Sequence, residues 1–138
     1  MDHVDVLCRL IEFDTSAADA TGCRKAMAYL EALLSEVGCE VTRVEIPRDA
    51  ADGLEGRMAL VCHRRSGRGE RLLIYSHIDV VPARGWDAFT PRLESGRVYG
   101  RGAADMKGAI AALAAALWRA RGCELPFDLS ILVTMDEE

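Results

Sequence analysis

The sequence predicts an α/β fold, a mostly parallel sheet flanked by helices. Apolar residues recur every three or four positions in two N-terminal segments and again after residue 106, and short apolar runs separate them. Between residues 71 and 135 the order is strand, long crossover, helix, strand, which is the pattern of a βαβ unit. A chain of 138 residues buries roughly two thirds of the surface its unfolded form exposes, enough for one core.

Taken in order, residues 2–13 place Val4, Val6, Leu7, Leu10 and Ile11 at helical spacing and predict a first helix. A polar link of small residues, "TSAADATG", follows. "CRKAMAYLEALLSEVG" sets Met27, Leu30, Leu33, Leu34 and Val37 on one face and closes on Gly38, a residue suited to the left-handed position after a helix. "CEVTRVEI" alternates until Pro47; "RMALVCH" and "RLLIYSH" are short apolar runs, so three strands precede the glycine-rich stretch. "MKGAIAALAAALWRARG" is alanine-rich, carries Ile110, Leu113 and Leu117 on one side, and ends on Arg119, Arg121 and Gly122, which suit a helix C-terminus. "DLSILVTM" reads as a buried strand that later strands would flank. A chain ending there is expected to expose an unpaired edge and to associate.

Composition narrows the function classes. Half the residues are hydrophobic and 28% are charged, and no apolar run approaches the ~20 residues of a membrane span. The acidic opening "MDHVDVLCRL" lacks the basic and apolar regions of a secretory signal, so a cytoplasmic location is expected. A net charge of −5 argues against nucleic-acid binding, and no membrane partner is expected. Cys8, Cys23, Cys39, Cys62 and Cys123 are odd in number and form no C-x-x-C pair, which predicts reduced, mostly buried thiols. The basic run "CHRRSGRGER" is broken by Ser66, Gly67 and Gly69 and reads as a solvated loop between strands.

Chemistry concentrates at the strand ends. His77 and Asp79 follow one strand, Asp105 precedes a helix, and Asp136, Glu137 and Glu138 follow the next strand, so the topology directs all six toward one cleft. Five carboxylates so gathered repel one another unless a cation neutralises them. Imidazole with carboxylates suits zinc, and also manganese or cobalt, in a catalytic site. The two-residue spacing makes His77 a ligand and Asp79 the carboxylate that orients it. Each residue also has a plainer reading. His-x-Asp occurs as a surface pair, Asp105 alone reads as a helix N-cap, and Glu137 and Glu138 as a solvated acidic end. "GRGAAD" puts Asp105 where a dinucleotide fingerprint needs its third glycine, and Lys107 is followed by Gly108 rather than a hydroxyl residue, so neither phosphate motif holds.

"SHIDVVPARGWDAFTP", "VYGRGAADMKG" and "TMDEE" resemble, in order and spacing, the signature blocks of the zinc-dependent aminoacylase family. That family includes acetylornithine deacetylase, succinyl-diaminopimelate desuccinylase, carboxypeptidase G and several dipeptidases. The resemblance implies a zinc-exopeptidase-like (phosphorylase/hydrolase-like) catalytic domain, truncated: residues 1–138 are its N-terminal part, without the inserted dimerisation domain and the remaining catalytic half. It further implies two zinc ions, replaceable by cobalt or manganese. His77 becomes a ligand of one, Asp79 its supporting carboxylate, Asp105 the bridge between both, Glu138 a ligand of the second, and Glu137 the general base. A cis peptide from Asp105 to Met106 is implied too, which overrides the N-cap reading. The implied reaction is amide hydrolysis in N-acyl amino acids or small peptides, with a zinc-activated water, by a protein that is a homodimer when complete. Ser76 stands where the family commonly has glycine. A further acidic ligand and a last histidine are missing, and neither His3 nor His63 replaces the latter. Two side chains per metal fall short of three, so the isolated chain is expected to hydrolyse little. A non-catalytic remnant or metal-binding module stands as the alternative, and a plain α/β binding domain as a third reading.

Overall fold

Strand register determines what each face of the sheet carries. The structure, a computed structural model, describes residues 1–16, 20–47, 49 and 56–138. Its main sheet contains β1 (Glu40–Glu45), β2 (Met58–Arg64), β3 (Arg71–His77) and β6 (Asp128–Thr134), in the order β1-β2-β6-β3. β1 and β2 run antiparallel, as do β2 and β6, while β3 and β6 are parallel. The α/β class and the parallel crossover are as expected, but the sheet is mixed, with one parallel pairing, rather than mostly parallel. A parallel pairing needs a long crossover, usually through a helix, and among the described residues only the β3-to-β6 connection contains one. The strand "DLSILVTM" is not an edge either. It lies between β2 and β3, and the edges among the described residues are β1 and β3.

Side chains alternate along each strand, so one face collects Met58, Leu60, Cys62, Leu129, Ile131 and Val133, all buried. Three helices close this core. α1 (His3–Glu12) starts at Asp2, whose carboxylate accepts from Val4 N at 2.9 Å, and it buries Val6, Leu10 and Ile11. α2 (Thr21–Glu36) buries Cys23, Ala26, Met27, Leu30 and Leu34, and Gly38 takes the expected left-handed conformation at φ 82° beyond its end. α3 (Gly108–Arg119) buries Ile110 and Leu117 together with Ala111, Ala114 and Ala115, small residues that permit close approach. The polar link after α1 lies partly outside the described residues, at 17–19.

The long crossover holds a hairpin that the sequence reading missed, β4 (Arg92–Glu94) with β5 (Arg97–Tyr99), turned through Ser95 and Gly96 at positive φ. After it a π-type turn, Ala103–Lys107, leads into α3. No described helix is long and apolar enough to cross a membrane. Cys23, Cys39 and Cys62 are buried thiols, Cys8 is partly buried and Cys123 is exposed.

Candidate metal centre

The parallel pairing of β3 and β6 aligns their C-terminal ends, and Ile78 N donates to Thr134 O at 2.9 Å just past the last rung. His77 and Asp79 therefore emerge beside the segment that carries Asp136, Glu137 and Glu138. Both are buried. His77 Nδ1 lies 3.2 Å from the Asp79 carbonyl oxygen and 3.6 Å from its Oδ1, so the backbone oxygen is the nearer orienting group. This leaves Nε2 facing the cleft, 3.5 Å from Asp105 Oδ1 and 3.8 Å from Glu137 Oε2. Asp79 Oδ2 accepts from the backbone N–H groups of Glu137 and Glu138, each at 2.8 Å. Its Oδ1 is buried without a hydrogen-bond partner.

Asp105 arrives on the π-type turn, with φ −122° and ψ 104° and a cis peptide to Met106. No side chain caps α3, so the N-cap reading of Asp105 does not hold. The side chain of Asp105 is 82% exposed, open to the cleft and to solvent. Two supports fix the turn. His77 N donates to Met106 Sδ at 3.4 Å, and Lys107, with no exposed surface, sends its Nζ to Phe13 O at 3.0 Å. Burial pushes the Lys107 ammonium down to about 8, only partly offset by Cys23 and Asp14. Gly102, at φ 79°, is needed here, because a Cβ on it would meet Val80 Cγ1 at 2.7 Å and Lys107 Cδ at 3.0 Å.

Four of the six strand-end residues, His77, Asp79, Asp105 and Glu137, are thus brought together. Asp136 turns away into an ion pair with Arg57 at 3.0 Å, while Arg57 also donates to Met135 O at 2.6 Å. Glu138 shares with Thr15, Arg57, Asp79 and Asp136 an adjoining cavity of about 220 Å³. Arg57, Thr15 and Lys107 were not singled out from the sequence for these roles, because only tertiary contact brings Phe13, Thr15 and Arg57 to the strand ends.

The donors suit a divalent cation in type and spacing. At 3.5 Å the His77–Asp105 separation is too long for a hydrogen bond, yet two ligands each about 2.0–2.1 Å from a tetrahedral ion sit roughly 3.3–3.4 Å apart. Their number is short: among the described residues no three His, Cys, Asp or Glu side chains are arranged to hold a metal ion.

Residues 73–138 match peptidase family M20/M25/M40, the span from β3 through the acidic terminus. Over this span the chain is similar to that family. The chain is also similar to the succinyl-diaminopimelate desuccinylases of Anaplasma marginale, 38% identical over 99% of this chain and 34% of the relative, and of Wolinella succinogenes, 36% identical over 98% and 34%. Among solved structures, the M20 metallo-carboxypeptidase Sso-CP2 from Sulfolobus solfataricus superposes with a TM-score of 0.83 at 24% identity, covering 99% of this chain and 31% of that one. Human carnosine dipeptidase 1 gives 0.82 at 23%, covering 98% and 32%. These likenesses show that the chain shares its fold with part of those structures. The chain spans about a third of the length of the curated relatives it matches.

Proposed function

We propose that this chain supplies part of the active site of a metal-dependent hydrolase of amide bonds in N-acyl amino acids or small peptides, the desuccinylase or dipeptidase type of chemistry. The observation that carries this reading is the convergence of Asp105 Oδ1 and Glu137 Oε2 within 3.8 Å of His77 Nε2 at the parallel strand ends. His77 and Asp105 would hold a divalent cation, zinc or else cobalt or manganese, with Asp105 shared by a second ion and Glu138 ligating that one. Bound there, such a cation polarises a carbonyl and lowers the pKa of a water. The chain's own groups do the rest. Asp79 fixes the Glu137–Glu138 backbone through two N–H bonds and keeps the Glu137 carboxylate beside the cleft. Half exposed and 3.8 Å from the imidazole, Glu137 is placed to take a proton from water and return it to the leaving amine. The small substrate would enter from the solvent side, where Asp105 is open.

A second reading, a metal-binding module without catalysis, is favoured by the short donor count. Cobalt(II) absorption separates the readings. The 138-residue chain should give a saturable visible band, and His77→Ala or Asp105→Asn should weaken binding about tenfold or more. Hydrolysis of an N-succinyl amino acid by the cobalt-loaded native protein, as isolated from its cell, would select catalysis, and metal binding without turnover by that protein would select the module. No saturable band, or one unchanged in both variants, would remove both.

A further inference from the structure

At the other end of the sheet lies a second polar concavity, independent of the metal reading. It measures about 210 Å³ and is lined by His63, Arg65, Arg71, Asp128, Leu129 and Ser130. β6 has seven residues, so Asp128 and the strand ends around His77 are separated by roughly 20 Å, at ~3.3 Å per residue. Register builds the concavity. Ser130 lies opposite His63 across the antiparallel pair, and Arg71 lies opposite Asp128 across the parallel pair. Arg65 falls two positions after His63, on the same face of an extended chain.

The basic run "CHRRSGRGER" divides sharply by use. Arg64 donates to Ala120 O and Cys123 O at 2.8 and 2.6 Å, locking the end of α3, and Arg68 pairs with Glu124 at 3.0 Å. Arg65 and Arg71 make no ion pair with any described residue. Asp128, the one acid in the lining, engages the loop through one carboxylate oxygen. Its Oδ1 accepts from Ser66 N at 2.6 Å, Gly67 N at 3.0 Å and Ser66 Oγ at 3.1 Å. These bonds, with a smaller contribution from the Arg71 charge, hold its carboxyl below the usual range. His63 Nδ1 is 3.0 Å from Ser130 Oγ, which sets the ring and leaves Nε2 as its remaining polar atom. Two guanidinium groups against one carboxylate leave a local positive charge on a chain whose net charge is −5.

We propose that this concavity is a binding site for a small oxyanion, with doubly charged phosphate as the best-fitting class. Guanidinium forks match tetrahedral and planar oxyanions bidentately, and a hydroxyl and an imidazole supply the neutral contacts that fix orientation. The volume also accommodates a phosphate together with a few waters, each of which takes about 30 Å³.

Inorganic phosphate titrated into the 138-residue chain, with sodium chloride holding ionic strength constant, tests this through the ring resonances of His63. Expected are a saturable shift of His63 and about tenfold weaker binding in Arg65→Gln/Arg71→Gln. Arg68→Gln, which removes an arginine already paired with Glu124, should bind as the parent does. Circular dichroism of both variants checks that the fold is kept, which the exposure of these arginines favours. A linear, non-saturating shift would overturn the site. So would equal weakening by Arg68→Gln, since that marks general charge attraction.

Discussion

Asp79 does two jobs that its spacing from His77 did not separate. One oxygen stands 3.6 Å from the imidazole, while the other gathers the N–H groups of Glu137 and Glu138 at 2.8 Å each. A hydrogen bond to a charged acceptor contributes about 1.5–3 kcal/mol, and the two part-buried donors lose their partner when it goes. Asp79→Ala should therefore cost about 2–4 kcal/mol in urea unfolding, and Asp79→Asn, which keeps a carbonyl acceptor, distinctly less. Equal losses would show that shape, not the carboxylate, matters here. His77, Asp79, Asp105 and Glu137 were legible because each sits where one apolar element stops and the next begins. Their supports were not. Lys107 is fully buried 94 positions away from Phe13, whose carbonyl it reaches, and no local pattern marks a lysine for that role. Arg57 looked like one arginine among many until Asp136 and Met135 O were placed beside it.

At the level of elements, periodicity found what is long enough to show it. α1, α2 and α3 follow their apolar spacing, and β2, β3 and β6 follow their apolar runs. β4 and β5 have three residues each and are largely exposed, too short for an alternation to be read. Helix packing also hides in glycines. An added Cβ on Gly22, in the first turn of α2, would stand 1.6 Å from Asp14 O, a backbone atom that cannot swing aside. Gly22→Ala should cost more than about 2 kcal/mol and lower the melting temperature by several degrees, whereas Gly38→Ala, with open space but φ 82°, should cost about 1 kcal/mol. A melt that ranks them the other way would contradict this packing of α2 on the Asp14 segment. β2 carries a pH signature. Burial first, then Cys39 and Glu31, push the Cys62 thiol from its usual 9.0 up to about 12. Above pH 9 the unfolded chain releases this proton and the folded chain keeps it, so stability falls as pH rises toward 12, by up to about 1.4 kcal/mol per unit. Cys23, raised to about 11, acts in the same sense, and Lys107, lowered to about 8, opposes both between 8 and its usual 10.5. Subtracting Cys62→Ala from the parent isolates one thiol. The variant's unfolding free energy should decline less steeply between pH 9 and 11, and parallel curves would refute the shift.

The molecule as a whole is covered on one side of its sheet. Met58, Leu60, Cys62, Leu129, Ile131 and Val133 face the helices, whereas Leu73 and Tyr75 on the opposite face are 65% and 48% exposed, next to partly buried Val61 and Leu132. These belong to or adjoin β3, whose outer side pairs with no described strand. The sequence reading expected an unpaired edge but put it on β6, because chain order was taken for sheet order; the crossover through α3 instead inserts β6 between β2 and β3. An open strand edge beside exposed apolar side chains is a template for pairing with another chain. The net charge of −5 opposes this weakly, since at physiological salt repulsion fades beyond about 8 Å. The 138-residue chain should therefore self-associate through β3, with a sedimentation coefficient that rises with concentration. Leu73→Lys adds a charge at the edge where the native side chain contributes little to the core, so it should shift the population toward monomer while leaving the urea midpoint of the monomer nearly unchanged. Val44→Lys, on the β1 edge and 49% exposed, is the comparison. If it disperses the chain as well as Leu73→Lys does, association uses the β1 edge or general hydrophobicity, and a parent that sediments as a single monomer at all concentrations leaves β3 with no such role.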